Sequence, residues 1–317
     1  MALHSDEIIL EGFGLKASLL SFGATLRDLR IDGVSHPLVV GLAPEDVRAH
    51  ANLYFGTVVG RVAGRIGYGR TQIAGNNVQL PINGDPHHLH GGPGGFSQRD
   101  WQVVGRSDQY AALALHSQAG DQGYAGSVDV TAHYEIVEGP ILRLTLTARS
   151  SAETLLNLCH HPYFNFDGAP TINDHSLEIA ADRYLPADET ALPTGEVVGV
   201  DGPSDFRAPH QIGADAFDNT FCLSSAPMGP VAFAGRLSGG AVVMEVWTTQ
   251  PGLHVYTGEG IPDGLAGLDG RQYGPRAGVA LEAQGWPDAP NNAAFPSIRL
   301  KAEEVYEQVT EYRFGRS

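Results

Sequence analysis

Ser127-Val128-Asp129-Val130-Thr131-Ala132-His133-Tyr134-Glu135-Ile136-Val137, followed by Glu138-Gly139 and then by Ile141 to Ala148, decides the fold. Small or apolar residues alternate with polar ones on a period of two, which is the side-chain period of a half-buried strand, and the acidic residue and glycine between the runs mark a turn. The unit predicted is a β-hairpin.

The same pattern continues on both sides. Trp101-Gln102-Val103-Val104 and Tyr110 to His116 precede the hairpin, and Leu177 to Ala181 and Gly252 to Gly258 follow it. Between Val231 and Thr249 two runs fold back at Ser238-Gly239-Gly240. Further hairpins are predicted between Lys16 to Phe22 and Leu26 to Ile31, and between Gln72-Ile73-Ala74 and Val78-Gln79-Leu80 around a Gly75-Asn76-Asn77 turn. Two short strands bracket Glu303-Glu304 between Ser297 and Val309, and Pro44 to His50 is the one predicted helix, with proline in its first turn.

The composition agrees with that pattern. With 40 Gly and 20 Pro in 317 residues and almost no helical periodicity, the chain is predicted to be all-β with very little helix, its short strands joined by tight turns. The Pro- and Gly-rich passage from Pro186 to Pro209 is not a linker, because Leu192, Val197, Val198 and Phe206 anchor it. No internal repeat is present, and residues 1–317 are read as a single domain.

A formal net charge of -16, from 20 Lys+Arg against 36 Asp+Glu, argues against a nucleic-acid or anionic-membrane surface, both of which demand a basic face. A neutral small ligand is compatible with it. Cys159 and Cys222 are too few for a zinc knuckle or a disulfide scaffold and read as reduced thiols. Met1 to Leu10 carries no basic n-region followed by an apolar h-region, and no apolar run approaches the ~20 residues that span a bilayer, so a soluble, cytoplasmic protein is expected.

Candidate functional residues lie in five separated pieces. Asn157-Leu158-Cys159-His160-His161-Pro162-Tyr163-Phe164-Asn165 mixes imidazoles, rings and carboxamides, as a binding site does, although a strand closing on a His-Pro step with its rings in a core has the same letters. Gly60-Arg61-Val62-Ala63-Gly64-Arg65-Ile66 crowds arginines among glycines, with Arg61 and Arg65 four apart and so on one side, but lacks the Lys-Ser/Thr of a phosphate loop. His87-His88-Leu89-His90-Gly91-Gly92 offers three imidazoles, without the nearby Glu and downstream His that would complete a metal site. Phe217-Asp218-Asn219-Thr220-Phe221 holds a carboxylate between aromatics, either a turn-former bonding its own backbone or a ligand-binding acceptor. Glu282 shares a strand face with Ala280 and Gln284, opposite Val279 and Leu281, and its small neighbour leaves room for a ligand.

Taken in chain order, the five pieces, with Pro287-Asp288-Ala289-Pro290-Asn291 after the last, resemble the aldose 1-epimerase (galactose mutarotase) family over nearly the whole chain. The resemblance implies a large, mostly antiparallel β-sandwich, the galactose mutarotase-like supersandwich. Its concave sheet would bind a free aldose with no metal or organic cofactor, in a monomer or homodimer. It implies Glu282 as general base, His161 as general acid, His90 as a second imidazole near the ring oxygen, and Arg65 and Asp218 as sugar-binding residues. Tyr163, Phe164 or Trp286 would cover an apolar sugar face. Two positions depart from the family, Gly64 and His160, where Asn is common, and both departures bear on substrate choice. The competing readings are a non-catalytic sugar-binding module, a phosphosugar 1-epimerase gripping phosphate with Arg61, Arg65 and Arg70, and a metal-dependent, cupin-like isomerase built on His87, His88 and His90.

Overall fold

The structure is a computed structural model that describes residues 7–226 and 229–316. Its largest element is an antiparallel sheet of nine strands in the order His210–Gln211, Ser176–Ile179, Ala232–Gly239, Val242–Thr248, Val305–Arg316, Ile141–Ser150, Val128–Val137, Tyr110–Ser117 and Gln102–Arg106. The hairpin that decided the fold supplies two adjacent strands of the nine, with Val128 opposite Ser150 and Val137 opposite Ile141. Along Val128–Val137 the buried positions alternate with half-buried or exposed ones, so a single face enters the core.

A second sheet has six strands in the order Tyr163–Phe164, Val279–Gln284, Gly252–Tyr256, Asp218–Cys222, Arg183–Leu185 and Val198–Gly199. A third joins Ile8–Gly12, Leu15–Leu20 and Thr25–Ile31. One buried apolar cluster draws on all three: Leu144, Tyr134 and Tyr312 from the first, Leu253, Val279 and Leu281 from the second, Leu10 and Leu19 from the third. This is the expected sandwich, held by the inward rows of facing sheets. Helix is confined to short turns, Pro44–Val47 among them, and none among the described residues is long and apolar enough to cross a membrane.

Two local expectations shift. The hairpin near residue 75 turns on Ala74-Gly75, at φ +49° and +79°, because a two-residue loop with both φ positive matches the twist of its strands. The last strand runs to Arg316 rather than ending near Val309, and it occupies the middle of the nine-stranded sheet. The charges of Glu311-Tyr312-Arg313 hid it, and on the outer face Glu311 is bonded by Arg143 and Arg313, each at 2.8 Å.

Arg61 is a structural residue. Only 2% exposed, it donates to Ser117 and to the carbonyls of Gln118, Ala125 and Gly126 at 2.8 to 3.1 Å, and burial pushes its pKa down to about 10. Met at this position keeps the length but leaves those buried carbonyls without a donor, each such loss costing about 1–3 kcal/mol. Arg61→Met is therefore expected to lower unfolding stability by about 3 kcal/mol or more in a urea titration, and a change below about 1 kcal/mol would contradict this account.

Candidate active site

The site is written in the register of the six-stranded sheet. Tyr163, Ala280, Tyr256 and Asp218 stand opposite one another in one row across four strands, and Glu282, His254 and Thr220 form the next. Period-two alternation puts both rows on one face, while Val279 and Leu281 point into the core as expected. The face floors a cleft of about 290 Å³, at the low end of small-ligand sites and sized for a single monosaccharide.

The opposite wall comes from the glycine-rich segments. Cys159–His160 pairs with Val58–Val59 and delivers His161 to the cleft, while Arg65–Ile66 pairs with His88–Leu89 and sets Arg65 beside His90. His161 Nε2 lies 3.2 Å from Glu282 Oε1, and the Cys159 thiol donates to Glu282 Oε2 at 3.3 Å. The side chains of both His161 and Glu282 are nearly fully buried. Burial and the neighbouring Glu282 charge push the Cys159 thiol well above its ordinary pKa, so it stays a neutral donor.

His90 is fixed in one tautomer. The Gly64 N–H donates to His90 Nδ1 at 3.2 Å, which leaves the ring proton on Nε2, and burial followed by the nearby His161 and Arg65 charges holds its pKa well below the usual histidine value. His90 is thus a neutral N–H donor. Its ring meets Tyr54 at 4.6 Å and His161 at 5.5 Å between centroids.

Asp218 is bonded on both oxygens, to His254 Nε2 at 2.8 Å and to Arg65 Nη2 at 3.4 Å. Burial pushes its carboxyl up, but the His254 hydrogen bond and the His254 and Arg65 charges outweigh burial and hold it well below the carboxylate range. It therefore stays an acceptor.

Glu282, His161, His90, Arg65, Asp218 and Tyr163 all line this cleft. Phe164 does not: it follows Tyr163 on the same strand, so alternation turns it into the core, where it packs on Phe166 and Tyr312. Trp286 does not either, being 4% exposed, edge-on to Phe295 and donating Nε1–H to Pro251 O. His160 also faces away, its ring nitrogens 3.1 Å from Tyr312 Oη and from Gly56 O, and burial pushes its pKa down to about 3. Of the two departures, only Gly64 touches the cleft.

Arg61 and Arg65 diverge, because the backbone between them is irregular and Gly64 takes φ +73°, and Arg70 points out to solvent. The arginines do not gather at one rim. His87 Nδ1 accepts from Tyr68 N–H and its Nε2 meets Thr190, while His88 bridges Pro81 O and Tyr124 Oη, so the three-histidine run does not converge. Among the described residues His90, His161 and Glu282 do bring one donor atom each within 4.8 Å. A metal on His90 Nε2 would need the ring proton on Nδ1, where the Gly64 N–H already points, so the trio suits proton transfer instead.

Sequence reasoning missed Tyr54, Tyr256 and His254, which line the cleft, and the Cys159 contact behind it. His254 and Tyr256 alternate correctly within Gly252 to Gly258; what was lacking was the pairing of that strand with Glu282.

The sequence model of the family described as Aldose 1-epimerase matches residues 6–313. Galactose mutarotase of Rattus norvegicus is 37% identical, over 95% of this chain and 91% of its own length. Aldose 1-epimerase of Escherichia coli is 32% identical, over 95% and 92%. Among solved structures, the aldose epimerase homologue of C. elegans superposes with a TM-score of 0.92 at 30% identity, covering 98% of this chain and 99% of that one. Galactose 1-epimerase of Lactobacillus acidophilus does so at 0.85 and 29% identity, covering 98% and 94%.

Proposed function

The chain belongs to the aldose 1-epimerase family, and we propose that Glu282 and His161 are the pair through which it interconverts the α and β anomers of a free aldose. The observation that supports the pairing is the 3.2 Å contact between His161 Nε2 and Glu282 Oε1. Mutarotation removes a proton from O1 and adds one to O5, and both oxygens are bonded to C1. The base and the acid must therefore be neighbours, and these two are.

On this reading Glu282 takes the O1 proton while His161 gives one to O5, the C1–O5 bond breaks, and the open aldehyde turns about C1–C2. Closure from the other face reverses both transfers, O5 returning its proton to His161 and Glu282 returning the other to O1. The His90 Nε2–H donates to negative charge developing on oxygen. Arg65 and Asp218 hold ring hydroxyls, and Tyr163 lies against a sugar face. The same reading makes residues 1–317 one domain, acting in the cytoplasm as a monomer or homodimer without a metal or organic cofactor.

NMR anomer exchange or optical rotation on freshly dissolved aldoses tests it. Acceleration of at least one hexose or pentose is expected, and none across the panel would refute it. Gly64 supplies a second test, because a Cβ there would lie 3.0 Å from Pro287 and any side chain would narrow the cleft. Gly64→Asn, which tolerates positive φ, is expected to change the ratio of kcat/KM between epimeric aldoses by about tenfold, the worth of one hydroxyl contact. An unchanged ratio would remove Gly64 from substrate choice.

A further inference from the structure

His254 takes no part in the proton transfers above, yet its side chain is bonded at both ends on the cleft floor. It stands mid-strand, opposite Glu282 on one neighbour and opposite Thr220 on the other. Both ring nitrogens are used: Nε2 lies 2.8 Å from Asp218 Oδ1 and Nδ1 2.9 Å from Thr220 Oγ1. A ring held at both ends has one orientation, and it passes that orientation to the carboxylate.

Four charged or titratable groups face it. Asp218 and Glu282 come from the flanking strands, and Arg65 and His90 from the opposite wall. His90 is neutral, and Arg65 opposes a second cation, so the two carboxylates decide. Burial pushes the His254 pKa down, but the Asp218 hydrogen bond and the Glu282 and Asp218 charges raise it above the ordinary histidine value. In the cationic form both ring N–H groups donate, one to carboxylate and one to hydroxyl, with no acceptor left over.

We propose that His254 is a positioning residue of this reaction: anchored on Thr220, it fixes the Asp218 carboxylate toward the hydroxyls of the sugar and supplies the cation that Asp218 and Glu282 share. The inference rests on the function proposed above. It has two separable consequences. Freezing Asp218 lowers the entropy cost of gripping the sugar, which acts on KM. The charge-assisted bond from His254 to Asp218 is present while the ring is cationic and is lost as pH rises through the raised His254 pKa, so the benefit is largest at low pH.

His254→Gln keeps a donor for Asp218 without the charge, and His254→Leu removes both. Each is to be compared with the wild-type protein for D-galactose and D-glucose exchange between pH 5 and 9, with thermal unfolding as a check on folding. For His254→Leu, KM is expected to rise about tenfold across the whole range. For His254→Gln, the deficit in kcat/KM is expected to grow from a few-fold at pH 8 to about thirtyfold at pH 5. A purely structural histidine would lower the unfolding temperature and leave the pH profiles parallel. Parallel profiles of wild type and His254→Gln, or a KM within twofold of wild type in a folded His254→Leu, overturn the proposal. Absence of exchange by the wild-type protein overturns the functional reading instead; calorimetry of D-galactose binding then still decides on His254, since an unchanged affinity in His254→Leu refutes its hold on Asp218.

Discussion

Glu282→Gln is expected to slow anomer exchange by about 10³-fold or more while leaving the fold intact. The amide has the shape of the carboxylate and still meets Cys159 and His161, but it cannot take the O1 proton. One positioned proton transfer is worth ~10²–10⁴-fold, and here the lost transfer also triggers the other, so the upper half of that range applies. Stability should change little, because the amide sheds the desolvation cost of a nearly fully buried carboxylate but keeps only one acceptor for the two donors that meet it. Exchange kinetics by NMR and an unfolding curve on the same sample separate the two effects. A variant that keeps a tenth of the rate would show that Glu282 is not the base.

Much of the fold was legible because strand alternation is local. Val128 to Val137 carries its own period, and so does Val279 to Gln284, which placed Glu282 on a face with Ala280 before any partner strand was known. The site was legible only as far as its residue types were distinctive. Arg65, His90, His161, Asp218 and Glu282 stood out as charges or imidazoles among apolar and glycine residues. Which of two adjacent residues turns into a cleft is settled by register, however, and register is a property of pairs of strands. Tyr163 and Phe164 could not be told apart on composition, nor His160 from His161, until Tyr163 was found opposite Ala280 and His160 bonded to Tyr312. Arg61 was misplaced for a related reason. A spacing of four implies a shared side only along a regular element, and Gly64, at φ +73°, breaks that regularity. His254 escaped notice because its importance comes from Asp218 and Thr220, distant in sequence and adjacent only across a ladder.

His161→Gln is expected to lower kcat by about 10²–10⁴-fold, and combining it with Glu282→Gln is expected to cost little more than the worse single change. Among the described residues His161 Nδ1 is buried without a hydrogen-bond partner, whereas Nε2 meets Glu282, so on the proposed mechanism Nε2 is the nitrogen that handles the proton. Gln can donate from the same place but cannot give its proton up, and O5 then has no acid at the His161 position. The double variant carries the argument further than either single one. If acid and base worked independently, their losses would multiply to about 10⁵-fold or beyond. If they serve the two ends of one O1–C1–O5 unit, removing either already stops the concerted transfer, and the second removal has nothing left to take away. Single-turnover anomer exchange on the four proteins of this cycle reads the coupling directly. Multiplicative losses would mean that ring opening proceeds through separate proton transfers, and that the contact between Glu282 and His161 is incidental to the chemistry.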